Sequence, residues 1–208
     1  KISKIEGHPL PWDKRDIEDS DLAWETHSFN SKQNIGSWEW SFLQAGHVPG
    51  AAMVHIETPS KHILWSGDID TRDTPNVLGA KPIDTDILVL EGTYGGREHP
   101  ERLEEELRFV EKVKEVTNRG GLAIIPAFAS GRGQDILRIL HKHNPSLNVH
   151  YDGMGKRVTQ HWMNHPEFVR ESQEWDKIWS WVRKVGSKSD RKKALSADVI
   201  VTTSGMLK

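Results

Sequence analysis

Five segments of the sequence combine residue types that do chemistry with a glycine spacing that exposes them. Ala45-Gly46-His47-Val48-Pro49-Gly50-Ala51 sets a histidine between two glycines and a proline. In so tight a loop an imidazole projects from the chain, and neutral imidazole is a common metal ligand. A turn with a structural histidine is the plainer alternative. Leu64-Trp65-Ser66-Gly67-Asp68-Ile69-Asp70 carries an apolar run straight into Gly-Asp. A carboxylate at a strand terminus, beside a glycine that allows close backbone approach, suits a metal or phosphate site. An Asx-turn would use the same carboxylate locally, and Asp70 competes with Asp68 for any ligand role. Leu88-Val89-Leu90-Glu91-Gly92-Thr93-Tyr94-Gly95-Gly96 delivers Glu91 from an apolar run into a glycine-rich loop. A carboxylate buried there must be paired or hydrogen-bonded, and glutamate is a poor helix cap. In Ile125 to Gln134 a strand, a turn and a helix start follow one another, with Ser130 and Arg132 at the turn. Backbone N–H groups at a helix N-terminus, with an arginine beside them, suit a phosphate, although a plain strand–helix turn has the same pattern. Val201-Thr202-Thr203-Ser204-Gly205-Met206 again enters a small-residue turn and alone carries no chemistry.

Composition narrows the chemistry. The 208 residues contain no cysteine, so disulfide scaffolds, cysteine-held zinc, iron–sulfur clusters and thiol nucleophiles are excluded. Any metal must be held by carboxylates and some of the 11 histidines. With 28 Lys+Arg against 30 Asp+Glu, the net charge of −2 rules out a broad basic coat but not a local phosphate site. No apolar run approaches the roughly 20 residues that span a bilayer, which implies no membrane partner, and Lys1 to Pro11 lacks the apolar core of a secretory signal. Other histidines read as structural. His161 and His165 are four apart, but no glutamate follows His161 and Pro166 ends the turn. His141 and His143 sit where a helix end favours positive groups. Trp175, Trp179 and Trp181 read as helix packing.

The elements that position these residues follow from periodicity. Lys1 to Asp21 is polar and charged, with a turn-like Gly7-His8-Pro9-Leu10-Pro11. Gly36–Leu43, Ala51–Glu57 and His62–Ser66 read as strands, the last two forming a hairpin around Thr58-Pro59-Ser60. Asp86–Leu90 is a continuous apolar run, expected to be a strand buried on both faces. From His99 the period becomes helical, with Leu103, Leu107, Val110, Val113 and Val116 on one stripe and Pro100 at the first helical position. Arg119-Gly120-Gly121 stops that helix. Leu122–Ala129 is then a buried strand, Gln134–His143 a helix, Asn148–Tyr151 a strand, Lys156–Asn164 and Glu171–Arg183 helices, and Asp198–Thr202 a last strand. The charged run Lys184–Lys193 reads as an exposed connector. Strand–helix alternation after Asp86 implies parallel pairing, and the change of pattern places a domain boundary near Gly95-Gly96.

In this order the segments resemble the β-CASP family of metallo-β-lactamase-fold nucleases, especially the archaeal relatives of the cleavage and polyadenylation specificity factor nuclease. The likeness runs from about Pro9 to Leu207. AGHVPGAA resembles the third family motif and SGD the fourth. EGTYGG resembles the motif that opens the inserted β-CASP domain. TRDTPNVLGA (Thr71–Ala80), NRGGLAIIPAFASGRGQDIL and VIVTTSGML add long, ordered matches.

The resemblance implies an α/β fold: part of a metallo-β-lactamase αββα sandwich over 1–96, joined to a parallel-sheet β-CASP domain over 97–208. It implies His47 and Asp68 as zinc ligands, with Asp68 bridging two Zn2+ ions. Asp68 and Glu91 would be the catalytic carboxylates, Glu91 orienting a histidine that protonates the leaving group. Ser130, Arg132 and Ser204 would contact substrate. The implied substrate is RNA, with single-stranded DNA as the alternate, and the implied setting is a cytoplasmic enzyme that forms a homodimer or joins a processing complex. Gly92 stands where the family has Ser or Thr, Asp135 where it has Glu, and Ser130 and Gly133 also depart from the usual types. The family's H-x-H-x-D-H metal motif is absent from these 208 residues, and its later histidines would lie beyond Lys208. The expectation is therefore a piece of a longer enzyme, inactive and poor at holding zinc by itself. A different hydrolase on the same fold, or an inactive RNA-binding or scaffold subunit, are the competing readings.

Overall fold

The computed structural model describes residues 11–203. All of the expected Gly7–Pro11 turn except Pro11, and the substrate-binding expectation for Ser204, lie outside the described residues. Two sheets organise the rest, giving the mixed α/β architecture expected from sequence. A short helix, α1 (Lys14–Leu22), precedes them. Its Asp13–Asp16 capping box drives it, but it buries no residue; its two apolar residues, Ile17 and Leu22, are too few to make a stripe and are exposed.

The first sheet has the order β1 (Gln33–Ile35), β2 (Trp38–Gln44), β3 (Ala52–Glu57), β4 (His62–Trp65), β5 (Ile87–Val89). The pairs from β1 to β4 are antiparallel and β4–β5 is parallel. The Thr58-Pro59-Ser60 hairpin forms as expected, closed by the Thr58 N–H donating to the Lys61 carbonyl at 2.9 Å. Strand alternation sends Met53 and Leu64 into a small core with Ala45 and Ala80. Trp40, Phe42 and His27 stack edge-on elsewhere, with ring centroids 5.0–5.1 Å apart along the chain of contacts.

One expectation fails here. The apolar run at Asp86–Leu90 is not buried on both faces: Leu88 is 52% exposed, and Ile87, Val89 and Leu90 are exposed too. The strand pairs only with β4 and forms the edge of its sheet, so hydrophobicity told that it was a strand without telling what covers it.

The second sheet is wholly parallel: β6 (Ala123–Ala127), β9 (Val199–Thr203), β7 (Val149–Asp152), β8 (Arg183–Lys184). Helix α2 (Arg102–Asn118) precedes β6, α3 (Arg132–His143) follows it, and α4 (Gly155–Asn164), α5 (Trp175–Trp181) and α6 (Lys188–Ala194) fill the later crossovers. Central strand β9 is covered on both faces. Val199 and Val201 join Leu137, Leu140, Tyr151, Trp162 and Trp175 in the main core, while Ile200 packs with Val185 and Ala194. Trp175 is buried beside Trp162, the packing role expected for it.

Four local expectations are corrected. β6 is an edge strand, so only Ala123 and Ala127 are buried within it and Ile124 is exposed. Pro100 lies one residue before the α2 N-cap, Glu101; Leu103 and Leu107 are exposed, and the stripe buries only at Val110 and Val113. Glu171–Arg183 is a short 3-10 turn (Ser172–Glu174), then α5, then the start of β8. Lys184–Lys193 is no plain connector: it ends β8 and builds α6 on a Ser187–Asp190 capping box. Among the described residues no helix is long and apolar enough to cross a membrane.

Candidate functional site

Strand direction assembles the site. β2 and β4 both run antiparallel to β3, and β5 runs parallel to β4, so β2, β4 and β5 point the same way. Their C-terminal ends therefore leave one edge of the sheet. The chain after β2 reaches His47, the chain after β4 reaches Asp68, and the chain after β5 reaches Glu91.

Backbone pairing joins the turns that carry the first two. Gly46 and Ile69 form an isolated antiparallel bridge. His47 and Asp68 are the next residues out from that bridge on the same side, one on each segment, and both lie in bends. The Asp70 N–H donates to the Ala45 carbonyl at 3.0 Å and fixes the crossing. Gly46 is required there. Its φ is +74°, and a Cβ would stand 2.2 Å from the Asp70 carbonyl oxygen and 2.6 Å from the Ala80 nitrogen. Both His47 and Asp68 are exposed.

The rival carboxylate is committed elsewhere. Asp70 takes a two-pronged ion pair from Arg72, with Nε at 3.0 Å and a terminal nitrogen at 2.8 Å, as well as the Arg72 backbone N–H. Burial pushes the Asp70 carboxyl up, but the Arg72 contacts outweigh it and hold it below the usual range.

Glu91 is tied to both neighbours. Its N–H donates to the Ser66 hydroxyl at 3.0 Å, and the Ser66 N–H donates to the Val89 carbonyl at 2.9 Å, clasping the ends of β4 and β5 together. The Glu91 carboxylate accepts from the Thr93 N–H at 2.9 Å and from the Ile69 N–H at 3.5 Å. The Thr93 contact, then the Ile69 N–H and the charge of His47, hold the carboxyl below its ordinary value. Glu91 is thus kept ionised beside the His47–Asp68 pair. Ser66 is buried and central to the clasp; in the sequence its one signal is its place before Gly-Asp.

The parallel sheet contributes the facing wall. β6, β7 and β9 end together, Ala127 opposite Thr203 and Asp152 opposite Thr202. Ligands of open α/β sheets bind outside such strand ends. The turn Phe128–Gly131 leaves from this edge and opens α3. A Cβ on Gly131 would stand 2.8 Å from Val48 Cγ1, so this turn lies against the His47 loop. Ser130 is exposed, and Arg132, its side chain 67% exposed, pairs loosely with Asp135 at 3.5 Å. Beneath the turn, buried Gln134 donates to the Ala129 carbonyl at 2.9 Å and Thr159 at 3.0 Å, holding it to α4. The structure therefore places His47, Asp68 and Glu91 together, with Ser130 and Arg132 on the neighbouring turn.

His47 and Asp68 fit a zinc ion in kind, as one nitrogen and one oxygen donor at an open edge. They do not fit it in number, because protein zinc sites use three or four ligands. Among the described residues no group of three or more His, Asp or Glu side chains is arranged to hold a metal ion. His161 and His165 are in ring contact at 4.6 Å, but they form no such group.

No protein-family model matches the chain. Individual relatives do. The chain is 35% identical over 217 aligned residues to a protein of Methanocaldococcus jannaschii named Probable RNase MJ4, covering 100% of this chain and 51% of that one. It is 30% identical over 209 residues to RNase aCSPSF2 of Saccharolobus solfataricus, covering 99% of this chain and 42% of the relative. Cleavage and polyadenylation specificity factor subunit 3 of Dictyostelium discoideum is 37% identical over 154 residues, 71% of this chain and 20% of that protein. The chain thus spans about half the length, or less, of the curated relatives it matches. With the two archaeal relatives matched over the whole or nearly the whole of it, the chain belongs to the β-CASP family of metallo-β-lactamase-fold proteins, among its archaeal cleavage-and-polyadenylation-factor-like members.

Proposed function

We infer that this chain forms part of the catalytic cleft of a zinc-dependent ribonuclease that hydrolyses RNA phosphodiester bonds. The observation that carries the reading is the Gly46–Ile69 bridge, which joins the turns carrying His47 and Asp68 although 20 residues separate the two in sequence. The names of the relatives, ribonucleases and a cleavage factor subunit, point to the same chemistry.

In this reading each residue has a defined task. His47 and Asp68 supply two of the donors for zinc, and the remaining donors come from outside the described residues. Zinc bound there would stabilise the charge that develops on an attacked phosphate and activate water near neutral pH. Arg132, exposed on the facing turn, neutralises a backbone phosphate; guanidinium matches phosphate oxygens in geometry and charge. Ser130 offers a hydroxyl on the same turn. Glu91 stays ionised through the Thr93 and Ile69 N–H groups and orients a proton donor by hydrogen bonding. RNA lies between the two sheet edges, where the Gly131 turn meets the His47 loop.

The deciding experiment measures zinc content and RNA cleavage of the full natural polypeptide with and without Asp68→Ala. Loss of both is expected. Unchanged zinc and unchanged turnover in the variant would overturn the assignment. RNA bound by the natural protein without cleavage or zinc would instead favour a scaffold role.

A further inference from the structure

Thr71–Ala80 lies between the two sheets and belongs to neither, yet it is tied to both. Its ends are anchored at the His47–Asp68 edge. The Ala80 N–H donates to the Asp70 carbonyl at 2.8 Å, next to the Gly46 crossing. Its tip is a tight turn in which the Thr74 hydroxyl accepts from the Asn76 and Val77 N–H groups at 3.2 and 3.1 Å. That tip reaches the parallel-sheet half of the molecule. Asn76 Nδ2 donates to Asp135 Oδ1 at 2.6 Å, in the first turn of α3. Arg170 grips the same turn from the far side, its N–H on the Asn76 carbonyl at 2.9 Å and its guanidinium on the Thr74 carbonyl at 3.2 Å.

Asp135 in turn faces Arg132 at 3.5 Å and Arg102 at 3.7 Å. One carboxylate is therefore shared between the strap and the arginine of the phosphate-facing turn. Asn76 is 3% exposed, and its Oδ1 is buried without a partner. An apolar residue in that turn would avoid the cost of an unpaired buried carbonyl. What only an amide of this length adds is the bond to Asp135.

We propose that Asn76 is a positioning residue, which through Asp135 locks the Arg132 turn at a fixed distance from the His47–Asp68 edge and so sets the width of the RNA cleft. The proposal rests on the ribonuclease reading for its consequence, but the locking itself can be tested without RNA.

The chain has no cysteine, so Ser60→Cys and Ser146→Cys, both at exposed positions on opposite halves, carry a spin-label pair without background. The distance distribution between them is measured in the natural background and in three others: Asn76→Ala, Asn76→Asp, and Asn76→Asp combined with Asp135→Asn. Asn76→Asp keeps the side-chain volume, removes the donor and sets two carboxylates together. It should broaden the distribution at least as much as Asn76→Ala. The double exchange restores a donor–acceptor pair with the roles reversed and should narrow it again. A merely packing role would leave Asn76→Asp like the natural protein. An unchanged distribution in Asn76→Asp, or no recovery in the double exchange, overturns the proposal. In parallel, anisotropy of a labelled single-stranded oligoribonucleotide reads affinity. Asn76→Asp should weaken binding about tenfold, the size set by one hydrogen bond to a charged group, and the loss should vanish in an Arg132→Ala background. Additive losses overturn the link to Arg132. If Arg132→Ala alone leaves affinity unchanged, the RNA reading of the site fails, while the distance measurements still decide the lock.

Discussion

Gly46→Ala tests whether the crossing beside His47 is as tight as the structure makes it. Two effects add. An alanine at φ +74° is held in the left-handed region, which costs roughly 1–2 kcal/mol for an L-residue. The new methyl would also stand 2.2, 2.6 and 2.8 Å from Asp70, Ala80 and Gly79 backbone atoms. None of these is the end of a flexible side chain, so the strap or the sheet end must shift, an overpacking cost of roughly 1–3 kcal/mol. The sum is about 3 kcal/mol. For a chain of this size each kcal/mol lowers Tm by about 2–4 °C, so thermal denaturation followed by circular dichroism should show a drop of about 6–12 °C. Gly50→Ala is the matched control. Gly50 has a φ of +86° but nothing within 4 Å of its would-be Cβ, so it should lose only the conformational part, about 2–8 °C and less than Gly46→Ala. Equal shifts in the two variants would refute the close approach. A Gly46→Ala variant melting with the natural protein would refute the bridge geometry itself, and with it the juxtaposition of His47 and Asp68.

Other outcomes follow from burial and charge. Leu137→Ala removes a fully buried side chain from the parallel-sheet core and should lower stability by about 2–5 kcal/mol, read as a lower denaturant midpoint. Leu88→Ser, on the exposed edge strand, should change stability by less than about 0.5 kcal/mol; a loss of the Leu137→Ala size would mean that β5 is covered after all. For Glu106, burial raises the carboxyl, but Arg102, His143 and Lys142 together bring it below its ordinary value. Its folded pKa is thus below its unfolded one, so its stabilisation is present above the ordinary carboxylate range and is lost as pH falls through the depressed value. Glu106→Gln should flatten the acid limb of the stability–pH curve, and a limb of unchanged slope in urea titrations would contradict the ion-pair cluster.

Local patterns were readable wherever the physics was local. The Thr58-Pro59-Ser60 hairpin, the helix carrying Val110 and Val113, and the strand at Val199–Thr203 all appear near their expected places, because turn chemistry and apolar period act over a few residues. Helices α1 and α6 also carried local signals, the capping boxes at Asp13 and Ser187. Both lie in charged segments without an apolar stripe, so the cap is the one local mark of either helix. Coverage was not readable. The run at Ile87–Leu90 has the composition of an inner strand, yet its exposure depends on which chain lies alongside, and no residue within it encodes that.

The sequence by itself determined which side chains could do chemistry, that no thiol was among them, and in what order strands and helices would come. Glycine, proline and apolar spacing act on the nearest few residues, so those features are written locally. Only the tertiary structure decided that β2, β4 and β5 point the same way, that the Gly46–Ile69 bridge joins the His47 and Asp68 turns, that Asp70 is spent on Arg72, and that Asn76 reaches Asp135 across 59 residues. Each of these is a contact between segments distant in sequence. Strand direction and register, not residue type, fix such contacts.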